Sequence, residues 1–395
     1  MGFLTRALSS GEARDLTTST VLGRVPLGGG ATASGVSVTP DTALRHSDVY
    51  ACVRVLSDTA ASLPLHVYRR GDAGRERVLD TLTARLLDRP APTMTQATFT
   101  SAVIANLNLW GNAFVAKFRD TNRPVQQLGL IHPSRVQVSV DAGEPVFRVA
   151  PSTSNGGAPG VYSRREILHI KGLTTDGVIG LSPLTQAAEA VGLGQAMQGY
   201  ASRFFSQSAH PSGVLEHPGR LTPEAAERLR KDWEAKFRGV ENSSRVAILE
   251  DGLSWRAISI PMHDAEFLAQ RRYSATEIAR VFRVPPYMIG ADAGGKSMTY
   301  SNVEQELSAF LIHSVRPWLV AIEQAMRADD DLFPEGAEDY PEFMLDAVLR
   351  ADTKTRAEVY AIATGGAAWL RPSEVREREN LGPDPDIATD TEAVA

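Results

Sequence analysis

Hydrophobic positions along the chain fall into several distinct rhythms. In HSDVYACVRVLSDTAASLPLHVYRR, residues Val49, Cys52, Val53, Leu56 and Ala60 recur at helical spacing, with Asp48 placed as a cap. Pro64 ends that helix, and Leu65, Val67 and Tyr68 begin a strand. Phe99, Val103, Leu107 and Trp110 set a second helix, and Gly111 stands just past its end. From 112 to 180 the rhythm shortens. NAFVAKFRD, VQQLGLIHP, RVQVSV, PVFRVA and EILHIKG are strand-like runs separated by Asn, Pro and Gly, and SNGGAPG at 154–160 is a turn or exposed loop.

At Leu181 the pattern changes again. LSPLTQAAEAVGLGQAMQGYASRFFSQSA is one long helix candidate, with Pro183 in its first turn and few charges. Gly192, Gly194 and Gly199 each weaken an isolated helix by about 1 kcal/mol relative to Ala, so close packing must compensate. That packing is either within the chain or against neighbouring copies. A small α/β insert follows: a strand in PSGVLEH, a helix in LTPEAAERLRKDWEAKFRG opening at Thr222, Pro223 and Glu224, and strands in RVAILED and SWRAISI. A helix from Asp264 to Phe282 stops at Pro285-Pro286. A Gly-rich loop then precedes a long helix from Val303 to Met326, which Pro317 should kink. DDDLFPEGAEDYPE is read as a solvated acidic loop, and helices lie near 352–364 and in RPSEVRERENLG. The sum is an α+β chain. Residues 1–45, rich in Ser, Thr and Gly, read as a flexible arm.

Composition narrows the classes. The 395 residues are 43% hydrophobic, enough for two or three compact units. No run of about 18 apolar residues exists, so no transmembrane helix is expected. The start is too polar for a secretory signal, and Arg6 breaks the myristoylation pattern. A single cysteine, Cys52, excludes an internal disulfide and fits reducing cytosol. The formal net charge is −6, and a dedicated duplex-binding protein is usually basic. If DNA is a partner, it passes rather than being tightly gripped.

The strongest chemical motif is Gly290-Ala-Asp-Ala-Gly-Gly295-Lys296-Ser297, which matches the phosphate-cradling loop of nucleotide hydrolases. Its context is wrong. Two prolines precede it where a buried strand is needed, and Met298 to Asn302 intervene before clear helical periodicity. A mobile glycine loop is the better reading, with a P-loop NTPase as the rival. The histidines form no ligand set, no G-x-S-x-G elbow exists, and no catalytic residue, metal or cofactor is assigned. Arg271 and Arg272 either touch phosphate or belong to a salt-bridged helix face.

Several phrases, in this order, resemble HK97-like phage portal proteins across about 46–385: VYACVRVLSDTAASLPLHVYRR; LWGNAFVAKFRD with LIHPSRVQV; EILHIKGLTTDGVIGLSPL; ATEIARVFRVPPYMIG; and TYSNVEQELSAFLIHSVRPWL. The resemblance implies an arm (1–45), a wing (46–180), a first stem helix (181–208), a clip (209–261), a second stem helix (262–283), a tunnel loop (284–301), a long kinked helix returning to the wing (302–351), and a crown with tail (352–395). It implies a closed, mostly twelve-fold ring at one capsid vertex. Double-stranded DNA would pass through the ring, past Asp292, Gly294, Gly295, Lys296 and Ser297 of the tunnel loop and Arg271 and Arg272 of the stem. The terminase large subunit or a head-tail adaptor would meet Glu224, Arg228 and Arg238 on the clip. The major capsid protein or a scaffold would surround the ring. The protein would then be structural rather than an enzyme, assembled in the host cytoplasm and resident in the virion.

Overall fold

The fold is that of a computed structural model. It describes residues 32–71, 74–120, 123–151, 158–207, 213–216, 219, 222–225, 227–229, 231, 254–257, 264–291, 300–345, 353–366, 368–379 and 381.

The N-terminal part begins with a short helix α1 (Pro40–Ala43), then α2 (Ser47–Ala61). The cap of α2 is His46, whose Nδ1 accepts from the Asp48 amide at 3.4 Å; Asp48 sits in the first turn, where its charge favours the helix dipole. Residues 32–45 are not a loose arm: Val38 and Ala43 are buried in the common core, and Thr39 and Thr42 cap α1 reciprocally. Strands β1 (Leu65–Gly71) and β2 (Gly74–Val78) form a hairpin, followed by α3 (Leu82–Asp88) and α4 (Gln96–Trp110). Helices α2 and α4 pack together through the apolar positions read in the sequence, Cys52, Leu56, Val103 and Leu107 among them. The short α3 went unread because its seven residues span barely two turns.

Gly111 ends α4 with φ +71°, and a Cβ there would lie 2.3 Å from the Leu181 carbonyl oxygen, so only glycine fits. The chain turns directly into β3 (Asn112–Phe118), which pairs antiparallel with β4 (Gln127–Ile131) and later with β8 (Ile167–Lys171). Between them β5 (Val136–Asp141), β6 (Glu144–Val149) and β7 (Gly160–Tyr162) form a second antiparallel sheet. Phe147 of that sheet meets Phe114 of β3 edge-to-face, joining the two.

The helix read over 181–209 is divided into α5 (Pro183–Gln186) and α6 (Ala188–Gln207). Strands β9 (Gly213–Glu216) and β10 (Ser254–Ala257) pair antiparallel; the RVAILED run lies outside the described residues. Then come α7 (Asp264–Val281), α8 (Tyr300–Phe310), a π-helical turn (Leu311–Val315) and α9 (Arg316–Arg327). The long helix is thus interrupted just before Pro317 by a widened turn, rather than kinked at proline alone.

Strand β11 (Asp339–Phe343) pairs with β1 in the register Leu65↔Phe343 to Arg69↔Asp339, so the chain returns to its N-terminal part. The acidic run 329–331 is not simply solvated. Lys117, 1% exposed on β3, donates to Asp329 at 2.6 Å and to Asp331 at 2.9 Å, and Arg119 also grips Asp331. Helices α10 (Thr353–Thr364) and α11 (Pro372–Arg378) close the described chain. Every strand pairing among the described residues is antiparallel.

Candidate functional site

Helices α6 and α7 pack against each other and frame the elements to which the sequence assigns chemistry. The segment 32–46 straps α6 in place. The Ala33 amide donates to both Glu189 oxygens (3.2 and 3.0 Å), and Gln195 Nε2 donates to the Thr42 carbonyl at 2.7 Å. Thr32 crosses at Gly192, where a Cβ would lie 2.7 Å from its hydroxyl. At Gly194 a Cβ would come within 2.8 Å of His46 Nε2 and 3.0 Å of Ser274 Oγ. Two of the three glycines are therefore explained inside one chain. Gly199 has nothing within 4 Å of an added Cβ.

Arg271 and Arg272 are exposed on α7. Arg271 lies near the buried His46: burial pushes the imidazole pKa below its usual value, Asp48 opposes this, and the Arg271 charge adds to the lowering. Arg272 has interactions of its own, and its carbonyl accepts from Thr276 Oγ1 at 2.9 Å. Glu224 and Arg228 are exposed one helical turn apart, and Thr222 Oγ1 accepts from the Ala225 amide at 3.3 Å, as a cap should. Arg238, Asp292, Gly294, Gly295, Lys296 and Ser297 lie outside the described residues.

Both ends of the Gly-rich loop are held on the core. On the entering side Ile278, Ala279, Phe282 and Val284 are buried, and Arg283 adopts φ +56° to leave α7. A 3₁₀ turn, Pro286–Ile289, follows and ends at Gly290 with φ +71°. On the returning side Phe310, Leu311 and Val315 are buried. Ser314 Oγ donates to the Arg283 carbonyl at 2.5 Å and ties the two sides together. This is not the frame of a P-loop. A helix and a 3₁₀ turn, not a strand, lead to Gly290, and α8 begins at Tyr300 rather than at the lysine.

The sheets hold buried polar centres that the sequence reading missed. Asn112 Oδ1 accepts from the Gly180 amide at 2.8 Å and from His169 Nε2 at 2.9 Å, while its Nδ2 donates to the Trp110 and Gly180 carbonyls. The His169 ring stacks on Phe114, and burial, helped by Lys171, lowers its pKa to about 3, so it is neutral. The Lys117 cluster had one legible signal: a lone lysine within an otherwise apolar strand run demands a buried counter-charge. No group of three or more His, Cys, Asp and Glu residues able to hold a metal occurs among the described residues. No described helix is long and apolar enough to cross a membrane.

Comparison with known proteins gives the class. The model of the family "Phage portal protein" matches residues 47–380. The probable portal protein of Streptomyces phage phiC31 is 34% identical over 371 residues, covering 91% of this chain and 79% of that one. The portal protein of Enterobacteria phage HK97 is 28% identical over 360 residues, covering 89% and 83%. Among solved structures, a chain from the neck of an empty gene transfer agent particle, computed with C6 symmetry, superposes with a TM-score of 0.64 at 26% identity, covering 92% of this chain and 100% of that one. The chain belongs to the phage portal protein family. It is a structural portal subunit of the HK97-like type.

Proposed function

We propose that copies of this chain close into a ring, twelve-fold as is usual in the family, at one vertex of a capsid, and that double-stranded DNA enters and leaves through its centre. The carrying observation is the α6–α7 pair joined to a loop anchored at both ends, within a chain that matches the portal family from 47 to 380. In this reading 46–180 is the wing, 181–208 and 262–283 the stem, 209–261 the clip, 284–301 the tunnel loop, and 352–395 the crown and tail. Residues 302–351 are the long helix and its return, supported by the pairing of β11 with β1. A ring closed by rotation makes head-to-tail contacts.

A twelve-fold ring carries a formal −72, twelve times −6. Such a channel repels the duplex on average and holds it only at local basic points, namely Lys296, Arg271 and Arg272. Passage without tight grip suits a conduit. The energy for packaging then comes from a separate terminase docked at Glu224, Arg228 and Arg238 of the clip, where a head-tail adaptor later binds. The major capsid protein or scaffold surrounds the wing. The subunit is not an enzyme, assembles in the host cytoplasm and resides in the virion.

Lys296→Ala tests the loop. Ring assembly and DNA packaging should survive, and the parent chain should bind no nucleotide. Magnesium-dependent ATP binding by the parent that disappears in Lys296→Ala would make Gly290–Ser297 a nucleotide site and contradict the conduit.

A further inference from the structure

The outer face of the sheet β11-β1-β2 carries more positive charge than the described carboxylates pair. Side chains alternate across a strand, and Leu65, Val67 and Phe343 belong to the common core. His66, Tyr68 and Arg70 of β1 therefore stand on the other face. In register with them are Tyr340 and Glu342 of β11 and Arg75 and Arg77 of β2.

One of the three arginines serves the fold. Arg75 Nη1 lies 2.5 Å from both Glu342 carboxylate oxygens, and its guanidinium sits 4.7 Å from the centre of the Tyr68 ring, which is only 7% exposed. The other two are not used in that way. Arg70 stands directly opposite Arg75, and like charges directly opposite weaken a strand pair. Arg70 rests 5.4 Å from the Tyr340 ring centre, and Arg77 stands opposite Tyr68. Both are exposed, and neither makes an ion pair with a described residue. Glu338, whose carbonyl accepts from the Arg70 amide, adds one further carboxylate at this edge. Guanidinium groups laid on aromatic rings and left without counter-charges are set for an anionic partner.

The surroundings say which kind. Leu79, just past β2, is 61% exposed, and Leu82, at the start of α3, is 50% exposed. A partner with both carboxylates and an apolar side chain suits this margin better than a phosphate backbone. The chain has such a segment outside the described residues. Residues 382–395, GPDPDIATDTEAVA, contain Asp384, Asp386, Asp390 and Glu392 and no basic residue, with Ile387 among them. Residues 1–31 do not fit, since Arg6, Arg14 and Arg24 balance Glu12 and Asp15.

We propose that the acidic segment 384–392 of this chain docks on the arginine face of the sheet β11-β1-β2, with Asp384 and Asp386 pairing Arg70 and Arg77 and Ile387 covering Leu79. Pro383 and Pro385 favour extended backbone around Asp384, where residues two apart stand about 7 Å from each other. Arg75 and Arg77, two apart on β2, have the same spacing. The docked segment supplies the counter-charges that the sheet lacks. It does so whether or not copies close into a ring.

Photo-crosslinking of the full-length chain with Ala388→p-benzoylphenylalanine tests this, with the adducts mapped by mass spectrometry. Adducts within 66–79 or 338–344 are expected. Arg70→Glu with Arg77→Glu should lower their yield about fivefold, as two exposed ion pairs would. Asp384→Arg with Asp386→Arg should do the same, and the four changes together should restore the yield. The tail variant leaves the sheet intact, so it decides the matter if the sheet variant fails to fold. Adducts confined to other parts of the chain overturn the proposal, as does a yield that the tail variant leaves unchanged. If no sheet adduct forms and a short DNA duplex binds the parent but not Arg70→Glu with Arg77→Glu, the face takes phosphate and the proposal falls.

Discussion

At the scale of single residues, the chain rests on a few buried polar groups whose partners are distant in sequence. Lys117 neutralises Asp329 and Asp331 from 212 and 214 positions away, in a place where an unpaired ammonium is not tolerated. Replacing it with methionine leaves the buried Asp329 without its counter-charge, while Asp331 keeps Arg119, and should destabilise the chain by about 3–5 kcal/mol, measured by urea unfolding. Asp331 is held below the usual carboxylate pKa first by Arg119 and then by Lys117. A depressed carboxylate contributes stability that is complete above its unfolded pKa, about 3.9, and is lost as pH falls below that. His169 acts at milder acidity. Its folded pKa of about 3 lies below the unfolded value near 6.5, so the unfolded chain takes the proton first. Stability should fall by about 1.4 kcal/mol per pH unit from about pH 6.5 downward. His169→Phe should flatten that part of the curve while leaving the loss below about pH 4; an unchanged slope would mean that the imidazole is not held neutral.

At the scale of elements, glycine positions separate what one chain does from what neighbouring copies do. Gly192→Ala and Gly194→Ala should each weaken folding by displacing Thr32 or His46 from α6, visible as a lower melting temperature. Gly199→Ala meets nothing within the chain and should stabilise α6 by about 1 kcal/mol in unassembled subunits. If a neighbouring copy approaches α6 at that point, the same substitution should lower ring yield. The end of α4, the start of α5 and most strands were legible, because Gly111, Pro183 and the period-two runs are local signals. The three-residue β7, the short α3 and the split after Gln186 were not, since they depend on what packs against them. Residues 32–45 show the limit most clearly. Their Ser, Thr and Gly composition reads as an arm, yet Val38 and Ala43 find burial in helices that lie far along the chain.

At the scale of the whole molecule, the sequence and the fold converge on the portal class for different reasons. Collinear phrases from VYACVRV to VRPWL carried the family, because unrelated folds have no cause to share their order. The structure adds antiparallel sheets, a helix pair strapped by 32–46, and a loop fastened at both ends. It removes the frame that a phosphate-cradling loop needs. Among the candidate contact residues, Arg271, Arg272, Glu224 and Arg228 are exposed. The partners proposed for them lie on other molecules, and a single chain's pattern is silent about those.

Assembly is the central claim, and the mass and shape of the purified full-length chain test it most directly. Light scattering with negative-stain imaging, with and without ATP, should find a particle of about 510 kDa, twelve copies of 42.7 kDa, with an opening wide enough for a duplex and no response to nucleotide. A monomer that hydrolyses ATP would contradict the account.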